Sequence, residues 1–131
     1  MYNFLIVDDS KIVRSVISKT IHLCQLPIGQ IFEANNGAEA LEIMKQNWVD
    51  MIFSDINMPV MDGVEFVQRL RQSGTIAATP VVVISTEGSE VRINALRDAG
   101  IRDFLRKPFT PEQLREVIKN NLGESHESAH P

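Results

Sequence analysis

Two hydrophobic rhythms alternate along the chain. Short apolar runs occur at 4–7 (FLIV), in a weaker stretch at 28–34, at 50–54 (DMIFS), at 80–84 (PVVVI) and around 103–105. Runs of this length between turn-forming residues mark buried strands. The segments between them carry apolar side chains three and four residues apart, the period of a helix face. Residues 10–24 place Ile12, Val13, Val16, Ile17, Ile21 and Cys24 in that register, with Ser10 or Asp9 as the cap. Asn36 to Lys45 predicts a second helix, with Leu41 and Met44 facing inward. Asn36 and Glu39 have the spacing of a capping box, and Asp62 and Glu65 repeat it at the start of a third helix that reaches about Gln72. Gly88 to Ala99 predicts a fourth helix, stopped by Gly100. The fifth has the strongest start: Thr110 as cap, Pro111 in the first turn and Gln113 three residues after the cap. Leu114, Val117, Ile118 and Leu122 form its apolar stripe, and Gly123 is expected to end it.

Strands that alternate with helices predict an α/β fold, a doubly wound parallel sheet of five strands with five helices over its two faces. The crossovers are expected to be right-handed. Residues 1–122 read as one domain. Residues 123–131 (GESHESAHP) lack an apolar anchor and are expected to form a flexible C-terminal tail.

Composition narrows the function classes. The chain has 131 residues, 44% of them hydrophobic, enough for one domain with a real core. A net charge of −4 lacks the basic field of nonspecific nucleic-acid binding. The single cysteine, Cys24, cannot form an intrachain disulfide, and its place in an apolar stripe predicts a packed thiol. No apolar run has the length of a membrane span, and the start of the chain lacks the basic region of a signal peptide. A cytoplasmic protein with no membrane partner is the expectation. His22, His126 and His130 do not have the spacing of metal ligands, and there is neither a G-x-G-x-x-G nor a P-loop.

The candidate chemistry sits where strands should end. Asp8 and Asp9 follow the first strand, Asp55 the third, Ser85 the fourth, and Lys107 the fifth. Open α/β sheets bind ligands at the carboxyl ends of their strands. Taken singly, the aspartates read as helix caps or turn acids, and the serine and lysine as turn and surface residues. Gathered on one sheet edge, they form an oxygen-rich pocket suited to a hard divalent cation, faced by one ammonium. A carboxylate beside a cation and a lysine can accept a phosphoryl group.

The segments VDDS at 7–10, SDINMPVMDG at 54–63, VVVIST at 81–86 and KPF at 107–109 resemble the receiver domains of two-component response regulators, and most resemble the single-domain chemotaxis type. The likeness spans about residues 2–122. It implies a flavodoxin-like sheet with strand order 2-1-3-4-5. It also implies that Asp55 is the phosphoacceptor, and that Asp9 and Asp55 with the Asn57 carbonyl hold Mg2+ while Asp8 holds a metal-bound water. Lys107 would contact the phosphoryl group, and Ser85 would hydrogen-bond it with help from the Thr86 N–H. Lys107–Pro108 would be cis. Asn57 and Glu87 would tune the loss of phosphate. Ser85 and Phe104 would form the switch that changes a surface made by the fourth helix, the fifth strand and the fifth helix. Residues 91–122 hold seven Lys or Arg against four acids, which mildly favours an acidic partner there.

The resemblance thus implies a phospho-switch rather than a turnover enzyme. Its phosphodonor would be a histidine kinase, and its output a protein partner, with motility the expected setting. Two alternatives keep the receiver chemistry: a phosphorelay intermediate, and a receiver belonging to a longer DNA-binding regulator. A haloacid-dehalogenase-like phosphatase would need a second acid two residues after Asp55, where this chain has Asn57.

Overall fold

The computed structural model describes residues 1–86 and 88–129, and for 123–129 the backbone alone. Its strands are β1 (Tyr2–Val7), β2 (Ile28–Ala34), β3 (Met51–Ser54), β4 (Val81–Ser85) and β5 (Asp103–Arg106). All pairings are parallel, in the order β2-β1-β3-β4-β5. The order reverses between β1 and β3, and the carboxyl ends beside that reversal carry the candidate acids. The helices are α1 (Lys11–Leu23), α2 (Gly37–Gln46), α3 (Gly63–Gln72), α4 (Thr75–Ala78), α5 (Glu90–Ala99) and α6 (Pro111–Ala129).

The pleat splits each inner strand between two cores. Leu5, Val7, Ile52, Val81 and Val83 face one side and pack with Phe66, Val67 and Leu70 of α3, Ile76 of α4 and Leu96 of α5. Phe4, Ile6, Met51, Phe53, Val82 and Ile84 face the other, against Ile17 and Ile21 of α1 and Leu114, Ile118 and Leu122 of α6. Burial on both faces is why these strands read as unbroken apolar runs rather than as alternating ones.

Local chemistry sets most helix ends. The Ser10 Oγ accepts from Val13 N, which makes Ser10 rather than Asp9 the cap of α1. Thr110 and Gln113 form a reciprocal box: Thr110 Oγ1 accepts from Gln113 N, and Gln113 Oε1 from Thr110 N. The other two boxes are half-formed. Asn36 and Asp62 cap their helices, but Glu39 accepts from Asn35 N and Glu65 turns to Arg69. Gly100 ends α5 at φ 111°, where a side chain would be strained.

Three expectations are corrected. Among the described residues there are six helices, not five, because the single turn α4 is too short to show a period. The last helix does not stop at Gly123 but continues to Ala129. An interior glycine costs a helix only about 1 kcal/mol, and Glu124 to Ala129 contain no breaker. Residues 130–131 lie outside the described residues. Finally, Ile12 is 78% exposed and Val16 44%, so the inward stripe of α1 is narrower than its apolar pattern.

Candidate functional site

The sheet's hydrogen-bond ladder runs past the strand ends and places the acids. Asp8 N donates to Ala34 O, and Asp55 N donates to Val7 O. The carboxylates of Asp8, Asp9 and Asp55 consequently offer oxygens that lie within 4.8 Å of one another. Asp8 and Asp55 are buried, and Asp9 is exposed. From the other side of β3, Lys107 N donates to Ser85 O. That bond fixes the Lys107 backbone beside the end of β4, and the Lys107–Pro108 peptide is cis. The Lys107 Nζ then reaches across the sheet edge, 2.9 Å from Asp8 Oδ2 and 3.2 Å from Asp55 Oδ2.

Each buried carboxylate keeps one oxygen on the backbone. Asp8 Oδ1 accepts from Ser10 N at 2.8 Å, and Asp55 Oδ1 accepts from Ile56 N at 2.7 Å. The second oxygen of each faces Lys107. Three acids against one lysine leave negative charge in excess. Burial raises the Asp8 pKa above the ordinary 3.8, and the opposing help from Lys107 and the Ser10 N–H does not cancel that rise. Burial pulls the Lys107 pKa down, but hydrogen bonding and charge from Asp8, with Asp55 adding, outweigh it and leave the ammonium above 10.5. The residues present fit a hard divalent cation: the donors are carboxylate oxygens, and the excess charge is of the sign a cation offsets.

A raised folded-state pKa means that Asp8 ionisation costs stability, and that this cost grows as pH rises through the folded pKa. In chelator, Asp8→Asn should therefore melt above wild type at neutral pH. The gap should close in acid. Paired thermal melts across pH check this, and a variant that melts lower at neutral pH would contradict it.

The other expected residues are distributed around this centre. Ser85 is fully buried at the end of β4, and Thr86 is exposed just beyond it. Asn57 is exposed in the loop after Asp55, and its Oδ1 accepts from Arg92 Nη1 at 3.3 Å. Phe104 is half-buried on β5 and packs against the α3-side core rather than sitting free. Glu87 lies outside the described residues.

Two residues that position the site were not singled out from the sequence. Arg14 is a buried guanidinium on α1. Its Nη1 donates to Asp8 O at 2.6 Å and to Asn35 Oδ1 at 2.9 Å, and its Nε donates to Glu33 Oε1 at 2.8 Å. It ties the turn after β1 to the end of β2, and its place among the apolar residues of α1 was the available signal. Gly63, at the start of α3, lies against the backbone of Asp55. A Cβ there would collide with Asp55 O and come within 2.7 Å of Ile56 Cα. Gly63 N also donates to Ile56 O at 2.7 Å. The site therefore rests on a close backbone approach that only glycine permits.

Comparison with known proteins agrees with this geometry. A family model described as the response regulator receiver domain matches residues 4–119. A chemotaxis protein CheY homolog of Campylobacter jejuni is 34% identical over 120 residues, which is 91% of either chain. The crystallised chemotaxis protein CheY4 of Vibrio cholerae superposes with a TM-score of 0.81 at 34% identity, over 92% of this chain and 98% of that one. The autoinducer 1 sensor kinase/phosphatase LuxN of Vibrio campbellii is 38% identical over 128 residues, 95% of this chain but 14% of that protein.

Proposed function

From the premise that this chain belongs to the response regulator receiver family, we propose that it is a phosphorylation-dependent signalling switch. It takes a phosphoryl group onto Asp55 from a phosphohistidine of a kinase, and it then controls a protein partner. The observation that carries this reading is Asp55 Oδ2, a buried carboxylate oxygen facing the Lys107 ammonium at 3.2 Å inside a cluster of three acids.

Asp55 Oδ1 is held by the Ile56 N–H, which leaves Oδ2 to attack phosphorus in line with the departing imidazole. The new bond joins Oδ2 to phosphorus, and the bond from phosphorus to the histidine nitrogen breaks. The Lys107 ammonium offsets charge on the transferred oxygens. Asp8, Asp9 and Asp55, with the Asn57 carbonyl, would hold Mg2+. When bound, Mg2+ would supply further charge stabilisation of those oxygens and remove the repulsion among the acids. The chain assists its own modification and does not turn over an external substrate.

The signal would leave through α5, β5 and α6, the fourth helix, fifth strand and fifth helix of the sequence reading. The phosphoryl group adds acceptor oxygens that the Ser85 hydroxyl can reach, which biases packing around Phe104. Chemotaxis is the favoured setting, since two of the relatives above are chemotaxis proteins matched over more than nine-tenths of each chain. The similarity to a segment of a much longer sensor kinase/phosphatase favours phosphorelay as the second reading.

Incubation with acetyl phosphate and Mg2+ tests the chemistry. Intact mass should show one phosphoryl adduct, and excess chelator should abolish it. An equal adduct in chelator would contradict the role given to the acid cluster.

A further inference from the structure

We propose that Arg92 is a positioning residue that lengthens the life of the phosphorylated state by holding Asn57. The inference rests on the reading of Asp55 as phosphoacceptor and adds a residue that this reading does not use. Arg92 lies in the first turn of α5, its backbone fixed by the Ser89 cap, whose Oγ accepts from Arg92 N at 3.4 Å. A cation is disfavoured there, because the amino end of a helix is its positive end. What offsets that placement is acceptor chemistry ahead of the helix. The Arg92 side chain is half-buried along a groove between α3 and α5, whose lining includes the acids Asp62 and Glu65. Its Nη1 ends on Asn57 Oδ1 at 3.3 Å.

That contact joins two segments that flank the site. Asn57 lies two residues after Asp55 in the loop that leaves β3, and Arg92 follows β4, the strand that ends in Ser85. The guanidinium therefore links the loop after β3 to the helix after β4, at the sheet edge that carries Asp55. Hydrolysis forms a bond from water oxygen to phosphorus and breaks the bond between phosphorus and Asp55. It returns the carboxylate, inorganic phosphate and a proton. A carboxamide whose oxygen is engaged by Arg92 cannot turn that oxygen to orient the attacking water. Arg92 acts on hydrolysis through Asn57 and touches no reacting atom.

A double-mutant cycle on the phosphoryl lifetime tests this. Wild type, Arg92→Ala, Asn57→Ala and the double variant are phosphorylated with acetyl phosphate and Mg2+. After removal of the donor, the decay of the adduct is followed by mass. Arg92→Ala should shorten the lifetime about three- to tenfold, the scale of one hydrogen bond. It should change nothing when Asn57 is already alanine. An unchanged or longer lifetime in Arg92→Ala, or the same shortening in both backgrounds, would overturn the proposal while leaving the phosphoacceptor reading intact. Failure of the wild type to form any adduct would overturn both.

Discussion

Asp55→Asn should abolish the phosphoryl adduct while leaving the fold in place. The side chain is buried, so the amide must fit the same space. Asn matches Asp in shape and keeps an oxygen to accept from Ile56 N, the 2.7 Å bond that holds the turn. What it loses is the nucleophile: an amide oxygen is far weaker than a carboxylate, and the product acyl phosphate cannot form. Asp8 and Asp9 offer oxygens within 4.8 Å of that of Asp55, but as proposed holders of the cation neither is expected to take the phosphoryl group. The expected result is no adduct above background with acetyl phosphate, beside a circular dichroism spectrum equal to that of wild type. An adduct on the variant at a comparable rate would place the acceptor elsewhere.

The second large effect should come from a residue with no side chain. Gly63→Ala puts a methyl group into the backbone of Asp55 and Ile56, and none of the three atoms it meets belongs to a side chain. Overpacking of this kind costs roughly 1–3 kcal/mol. A backbone obstacle places the cost at the upper end, about 3 kcal/mol, or roughly 10 °C in Tm for a domain of this size. Relief requires α3 to move away from the loop, which loosens Gly63 N from Ile56 O and, with it, the peptide that holds Asp55 Oδ1. The variant should therefore lose phosphorylation rate as well as stability. Melting by calorimetry, and adduct formation measured well below the variant's Tm, separate the two losses. A variant as stable and as reactive as wild type would show that the approach is not tight.

The sequence carried the parts of this picture that depend on period and on chain order. Strands buried on both faces produce unbroken runs such as FLIV, and caps such as Thr110 with Gln113 announce their helices. Once the strands are parallel, Asp8, Asp9, Asp55, Ser85 and Lys107 fall on one edge, because each ends or follows a strand. The features that escaped depend on close distances. Gly63 looked like an ordinary helix opener until the backbone of Asp55 came against it. Arg92 could not be told from a surface cation, since its partner Asn57 lies far along the chain, and Arg14 stood out only by its place among the apolar residues of α1. Val60, a β-branched residue, takes φ 68°, a backbone state that nothing in its composition announces. Gly123 misled in the opposite direction, since one glycine weakens a helix without ending it.

Reductive trapping identifies which residue carries the phosphoryl group, and so tests Asp55 as the acceptor. Borohydride cleaves an acyl phosphate and converts the modified aspartate to homoserine. The protein is loaded with acetyl phosphate and Mg2+, reduced, digested and mapped by tandem mass spectrometry. Homoserine at position 55 alone, absent when acetyl phosphate is omitted, is the predicted result. Homoserine at position 8 or 9, or none in protein that carries the adduct by intact mass, would contradict it.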